Sequence, residues 1–125
     1  NLPILTHPSF SGAYVLSNNT GFSHNMFYGT IQRIIGSDMS IFPNVGGRFD
    51  FSKEQCSSIA AACKSEEGPG KPIFPCIGGG MSLKTAASMK TMYGNNAVYL
   101  LGGSLLRYGD NIGQGIIEIK KALSD

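Results

Sequence analysis

Charge is scarce in this chain. Asp, Glu, Lys and Arg together make up 14% of its 125 residues, well below the roughly 25% of an ordinary soluble domain. So low a charge content points to a surface that is meant to be covered. The net charge of +2 comes from Lys and Arg scattered along the sequence, and without a clustered basic stripe there is no electrostatic footprint for nucleic acid. No apolar run approaches the roughly 18 residues of a membrane span, and the amino terminus lacks the charged-then-apolar order of a signal peptide. A cytoplasmic protein with neither a nucleic-acid nor a membrane partner is expected.

Catalytic signatures are missing too. There is no GxSxG, no HExxH and no complete Walker loop, and no paired carboxylates flank an obvious cleft. Cys56, Cys63 and Cys76 form no CxxC pair, and their odd number in a reducing compartment predicts free thiols. The spacing of Cys56 and Cys63 puts both on one face of a helix, where packing explains them better than a metal.

A chain of this length buries roughly 65% of its unfolded surface, enough for a modest core, and 1–125 is read as a single domain. It opens directly on a strand-like run, Leu2 to Thr6, with no cap, loop or initiator methionine before it. A segment of a longer protein is expected.

The sequence is organised by repetition of a strand and a helix. Leu2 to Thr6 is short, apolar and β-capable; a polar loop, Ser17 to Ser23, follows, and Met26, Phe27, Ile31, Ile34 and Ile35 recur at helical spacing from His24 to Ile35, with Gly36 as the stop. Met39 to Phe42 is the second strand, ended by Pro43-Asn44 and a glycine-bearing loop to Phe51. Ser52 with Gln55 makes a capping-box pattern for a helix continuing through Ile59 to Cys63, and Ser65 to Gly70 is a turn. Pro72 to Ile77 is the third strand, ended by Gly78-Gly79-Gly80, with Ser82 capping a helix to about Tyr93. Ala97 to Leu101 is the fourth, ended by Gly102-Gly103, with Asp110 capping a last helix to about Leu123. The order βαβαβαβα predicts an α/β fold with a parallel sheet, either a small open sheet or half of an eightfold barrel. Both place ligands at the carboxyl ends of the strands, so His7, Arg48, Gly79 and Gly103 should share one rim.

Glycines at a strand end let the backbone approach a ligand and leave amide hydrogens pointing outward, which suits a phosphate. Gly78, Gly79 and Gly80 beside Gly102 and Gly103 would set two such loops next to each other. A side chain at Gly103 would then obstruct the ligand and strain φ. His7 directly follows the first strand, suited either to proton transfer with a sugar hydroxyl or to a structural role. His24, at a helix start, is read as a cap or a solvent-exposed ring. Arg48 lies in Asn44-Val45-Gly46-Gly47-Arg48-Phe49, whose glycines predict mobility or a close backbone approach; its guanidinium can close over an anion or pair with Asp50.

Together, His7-Pro8-Ser9-Phe10-Ser11-Gly12, Asp38 through Ile41-Phe42-Pro43-Asn44 with Gly46-Gly47-Arg48-Phe49, Gly78-Gly79-Gly80-Met81, Tyr93-Gly94 and Gly102-Gly103 resemble, in order and spacing, the last four strand-end loops of the RuBisCO large-subunit superfamily. The resemblance covers essentially the whole chain. It implies units five to eight of a TIM (β/α)8 barrel, joined in the full protein to the missing amino-terminal half, with dimers that complete each active site. It implies reactions that begin by enolising a phosphorylated sugar-like ketone beside Mg2+, whose carbamylated lysine and acidic ligands lie outside this chain; the isolated segment should carry no metal and no catalysis. By the same resemblance His7 matches a histidine that contacts substrate hydroxyls, and Gly80, Gly102 and Gly103 match backbone positions that hold a phosphate.

The departures are specific. Pro8 stands where true carboxylases have an arginine, Ile41 where they have a histidine and Gly78 where they have a serine, and Val45 to Phe49 contains no lysine. These losses argue against carboxylation of ribulose bisphosphate and toward RuBisCO-like proteins: enolases, isomerases and decarboxylases of singly phosphorylated substrates. Three readings follow: an enzyme segment of that kind, a relative of true carboxylases being the variant; a non-catalytic module that grips a phosphorylated metabolite; or a structural piece whose glycines only make turns. A half-barrel with open strand edges should also associate, as a dimer or larger homo-oligomer.

Overall fold

Ser40 and Phe42 are buried while Met39, Ile41 and Pro43 between them are half-buried. That period of two marks a strand covered more heavily on one face than on the other. The computed structural model describes residues 2–17 and 19–124, and in it this strand, β2 (Met39–Pro43), lies between β1 (Leu5–Thr6) and β3 (Phe74–Gly78), with β4 (Val98–Leu100) beyond β3. Every neighbouring pair is parallel and the order is sequential, as the βα rhythm predicts.

Between the strands run α1 (Gly12–Val15), a π-helical turn (Met26–Thr30) leading into α2 (Ile31–Ile34), α3 (Lys53–Lys64) and α4 (Leu83–Tyr93). After β4 come α5 (Gly103–Leu106), a 3-10 turn (Gly109–Asn111) and α6 (Ile112–Ser124). The helices cover one face of the sheet. Phe42 and Ile77 meet Tyr28, Cys56, Ile59, Cys63, Met89 and Tyr93 there in one core, each fully buried aliphatic or aromatic side chain contributing roughly 1.5–3 kcal/mol over its exposed state. On the other face Leu5, Met39 and Phe74 form a row in register, with Leu5 46% and Phe74 50% exposed.

Local signals explain several boundaries. Ser52 and Gln55 exchange the expected reciprocal bonds, Ser52 N–H to Gln55 Oε1 at 2.8 Å and Gln55 N–H to Ser52 Oγ at 3.2 Å, which satisfies two donors of the first turn of α3. At the start of α4 the Ser82 N–H donates to Thr85 Oγ1 at 2.9 Å. Cys56 and Cys63 are both buried on the inner face of α3, two turns apart, and Cys76 is buried in β3; all three are free thiols.

Other expectations need correction. The short helix α1 falls where no element was expected, α5 falls in the loop before Asp110, and β1 is only two residues long. Asp110 lies inside the 3-10 turn Gly109–Asn111 rather than at the start of the last helix. In the helix after β1, Met26, Ile34 and Ile35 are exposed, and the packed residues are Tyr28, Gly29 and Arg33. The wide π turn shifts the phase of the buried face. It also brings Gly29 so near α3 that a Cβ would stand 2.6 Å from Ala62 Cβ. The carbonyls of the turn take side-chain donors, Gln32 Nε2 to Phe27 O at 2.9 Å and Ser40 Oγ to Tyr28 O at 2.7 Å.

Candidate functional site

Because all four strands are parallel, their carboxyl ends open on one rim, and the pairing of Pro43 with Gly78 and of Gly78 with Leu100 sets three of those ends level. His7 follows β1 directly, Arg48 lies in the loop after β2, Gly79 and Gly80 follow β3, and Gly102 and Gly103 follow β4. The rim therefore carries His7, Arg48, Gly79, Gly80, Gly102 and Gly103.

The two middle loops touch through bare backbone. Gly80, at φ 67°, lies where a Cβ would come within 3.0 Å of Gly47 N and 3.1 Å of Gly46 O, closer than nearly all real contacts. Gly79 has φ 88°, a conformation that residues with a Cβ rarely adopt. Gly78 is ordinary extended strand with room for a side chain, its nearest neighbours being Leu100 and Ile41 at 3.7 and 3.8 Å from an added Cβ. Thus the glycines of the loop carrying Arg48 make a close backbone approach to Gly79-Gly80, one of the two roles their sequence left open. Asn44 holds that loop: it is fully buried, accepts the Tyr93 hydroxyl at 2.6 Å and donates through Nδ2 to Met89 Sδ at 3.0 Å. Burial pushes the Tyr93 hydroxyl far above its ordinary range, with Cys56 beside it adding to the shift, so the phenol stays a neutral donor.

Arg48 is exposed, its guanidinium 5.7 Å from the centre of the Phe49 ring. The anticipated pairing with Asp50 does not form; among the described residues the ion pair is Lys71 with Asp38, at 2.7 Å. His7 is exposed, with Nδ1 3.2 Å from Ser9 Oγ. The following loop holds Phe10 at φ 58°, a sparsely occupied conformation for an aromatic residue. Gly102 and Gly103 have open space around them and no positive φ, so the expected strain at Gly103 is absent. Gly102 O accepts from Leu105 N–H at 2.9 Å and Leu106 N–H at 3.2 Å, closing the first turn of α5.

His24 is not a simple cap or a solvent-facing ring. It meets the Phe51 ring edge-on at 4.7 Å, stacks at 6.2 Å on Tyr28, and has Nδ1 3.5 Å from Gln55 Nε2. Burial lowers its pKa. Burial raises all three thiols, Cys63 to about 12. Two surface hollows lie on the helical side, between α3 and α4 by Met89 and Met92 and between α4 and α6 by Lys90 and Asn95.

A divalent cation such as Mg2+ wants clustered carboxylate oxygens. Among the described residues no three His, Cys, Asp or Glu side chains converge, and the rim offers one imidazole, one guanidinium and glycine amides. That set does not fit the metal. Backbone amides and a guanidinium are donors of the kind an anion takes.

Sequence missed two residues of this architecture. Asn44 and the buried Arg33 are polar side chains whose partners lie 29 to 49 positions away, and the only local hint is the position of Asn44 directly after a strand.

No family model matches the chain. It is 32% identical over 111 residues to ribulose bisphosphate carboxylase-like protein 1 of Rhodopseudomonas palustris, a match covering 89% of this chain and 28% of that protein. It is 34% identical over 106 residues to 5-methylthioribulose-1-phosphate isomerase of Rhodospirillum rubrum, covering 85% of this chain and 27% of that one. Its fold superposes on a rubisco-like protein of Alicyclobacillus acidocaldarius with a TM-score of 0.85 at 27% identity, over 98% of this chain and 31% of the other. The chain thus spans less than a third of the length of these proteins. Parallel order, glycine rim and likeness along nearly the whole chain converge: the chain belongs to the RuBisCO large-subunit superfamily, where it corresponds to the carboxyl-terminal part of the (β/α)8 barrel and is most similar to RuBisCO-like proteins.

Proposed function

We propose that this chain is the phosphate-binding, carboxyl-terminal part of a cytoplasmic RuBisCO-like lyase or isomerase acting on a singly phosphorylated, sugar-like ketone. The observation that carries the reading is the rim itself, where the loops of Gly78, Gly79 and Gly80 and of Gly102 and Gly103 follow adjacent parallel strands. Their amides would hold the phosphate, with Arg48 supplying a charged donor from the neighbouring loop. His7 would contact a substrate hydroxyl and move its proton.

A single phosphate is favoured because Pro8 and Ile41 stand where true carboxylases, by the resemblance, have an arginine and a histidine. Two relatives point the same way by name, the methylthioribulose-1-phosphate isomerase and a 2,3-diketo-5-methylthiopentyl-1-phosphate enolase of Bacillus cytotoxicus. Carboxylate ligands for Mg2+ would come from outside these residues, so the segment alone would bind phosphate without turning over substrate. The row of Leu5, Met39 and Phe74, whose two outer members are exposed, would be covered by the amino-terminal half, and the full protein would be a homo-oligomer.

Titration with inorganic phosphate, followed by glycine amide chemical shifts in the full-length protein and in this segment, tests the assignment. Shifts at Gly79, Gly80, Gly102 and Gly103 at millimolar phosphate are the expected result. Static glycine amides in both samples would overturn it.

A further inference from the structure

Asn44 is a fully buried carboxamide at the end of a strand, where burying an amide is costly unless each polar group finds a partner. All of its groups do. Its N–H donates to Gly78 O at 2.9 Å and its carbonyl accepts from Gly47 N–H at 3.1 Å. Its side chain accepts the Tyr93 hydroxyl at 2.6 Å and donates to Met89 Sδ at 3.0 Å. The main-chain bonds bind the loop of Arg48 to the end of β3, and the side-chain bonds bind it to the far end of α4, the helix that starts just after Gly78-Gly79-Gly80.

A second set of contacts lies directly above. Gly46 and Gly47 rest so near Gly80 that a methyl group there would press on their backbone at 3.0 to 3.1 Å, which couples the two loops. At the base of the same loop, Cys56 Sγ donates to Pro43 O at 3.4 Å. An apolar residue at 44 would fill the space but leave the Tyr93 hydroxyl without an acceptor.

We propose that Asn44 is a positioning residue: through Tyr93 it presets the Arg48 loop and the Gly79-Gly80 amides as one rigid unit before an anion arrives. This rests on the phosphate reading above, and extends it by making the Arg48 loop a fixed wall of the site in place of a free flap. A preset site avoids the ordering cost that a mobile loop would bring to binding.

The test uses the full-length protein with 15N-glycine labelling, inorganic phosphate as the probe, and the variants Asn44→Leu, Tyr93→Phe and Ile59→Ala. Ile59 is buried in the middle of α3 with no polar link to the rim, so its truncation loosens the shared core without removing a hydrogen bond of the device. In Tyr93→Phe and Asn44→Leu, hydrogen exchange at Gly47 should rise and phosphate affinity fall by about tenfold, the equivalent of roughly one hydrogen bond; Ile59→Ala should change neither. Unchanged exchange at Gly47 in Tyr93→Phe, the milder substitution, overturns the proposal even if Asn44→Leu fails to fold. A loss in Ile59→Ala equal to that in Tyr93→Phe overturns it as well, since general destabilisation would then explain both. If the unmodified protein ignores phosphate, the anion reading fails, and the exchange comparison alone decides whether Asn44 presets the loop.

Discussion

Arg33 and Gly70 lock each other. The Arg33 Nη2 donates to Gly70 O at 3.0 Å, while a Cβ on Gly70, at φ 77°, would stand 2.5 Å from Arg33 O. The same guanidinium donates to the carbonyls of Ala62, Glu67 and Lys71 at 2.9 to 3.3 Å. One buried cation therefore fixes the whole connection between α3 and β3. Arg33→Met should destabilise the protein by about 2–4 kcal/mol, because several carbonyls lose a charged donor at once. Gly70→Ala should cost more than about 1 kcal/mol through its positive φ and the clash. Urea unfolding measures both, and a loss below about 0.5 kcal/mol for Arg33→Met would contradict the clamp.

The glycines of the rim should separate into two kinds. Gly80→Ala is blocked by the Gly46-Gly47 backbone and by its own positive φ, and should cost more than about 1 kcal/mol. Gly103→Ala has open space around it and no positive φ, so its stability should stay within about 0.5 kcal/mol of the parent. Any loss of phosphate affinity in Gly103→Ala then reports on the ligand alone. Equal melting temperatures for the two variants would show that the loops do not touch as described.

His24 should make stability depend on pH in the mildly acidic range. Burial among Phe51 and Tyr28 lowers its folded pKa below the ordinary 6.5, so the unfolded chain takes up the proton first. Stability is complete above pH 6.5, falls as the pH drops through that value, and stops falling below the depressed folded pKa. In His24→Gln the thermal midpoint should lose this slope. A slope of the same size in the variant would assign the titration to another group.

At lower pH, Asp38 should control the edge strand. Its carboxylate accepts Lys71 Nζ at 2.7 Å and Ile4 N–H at 2.8 Å, and these bonds hold its pKa below the usual 3.8. The contribution is complete above the unfolded value and disappears as the pH falls through the depressed folded one. Asp38→Asn should speed amide exchange at Ile4 at neutral pH and leave α4 unaffected; protection of Ile4 equal to the parent would exclude the tie.

What the sequence disclosed was local. Ser52 and Gln55 stand three positions apart and find each other within one turn, and strand ends punctuated by Gly78 or Gly102 need no distant partner. The parallel order followed from the βα rhythm, because a crossover of helix length admits little else. Asn44 and Arg33 escaped notice for the opposite reason: each is a polar residue made buriable by groups more than 25 positions away; His24 was misread because Phe51 and Gln55, which enclose its ring, are equally remote. The π turn escaped because one extra residue in a helical turn leaves the composition unchanged while rotating the face that packs.

The three buried thiols make the molecule its own reporter of unfolding. Cys56 and Cys63 sit in α3 and Cys76 in β3, all fully enclosed and with their thiolates disfavoured by burial. Alkylation must wait until the surrounding structure opens, so its rate counts openings and not collisions with the surface. Mass-resolved labelling of each cysteine would therefore time the separation of helix from sheet, residue by residue, without a probe being added to the chain.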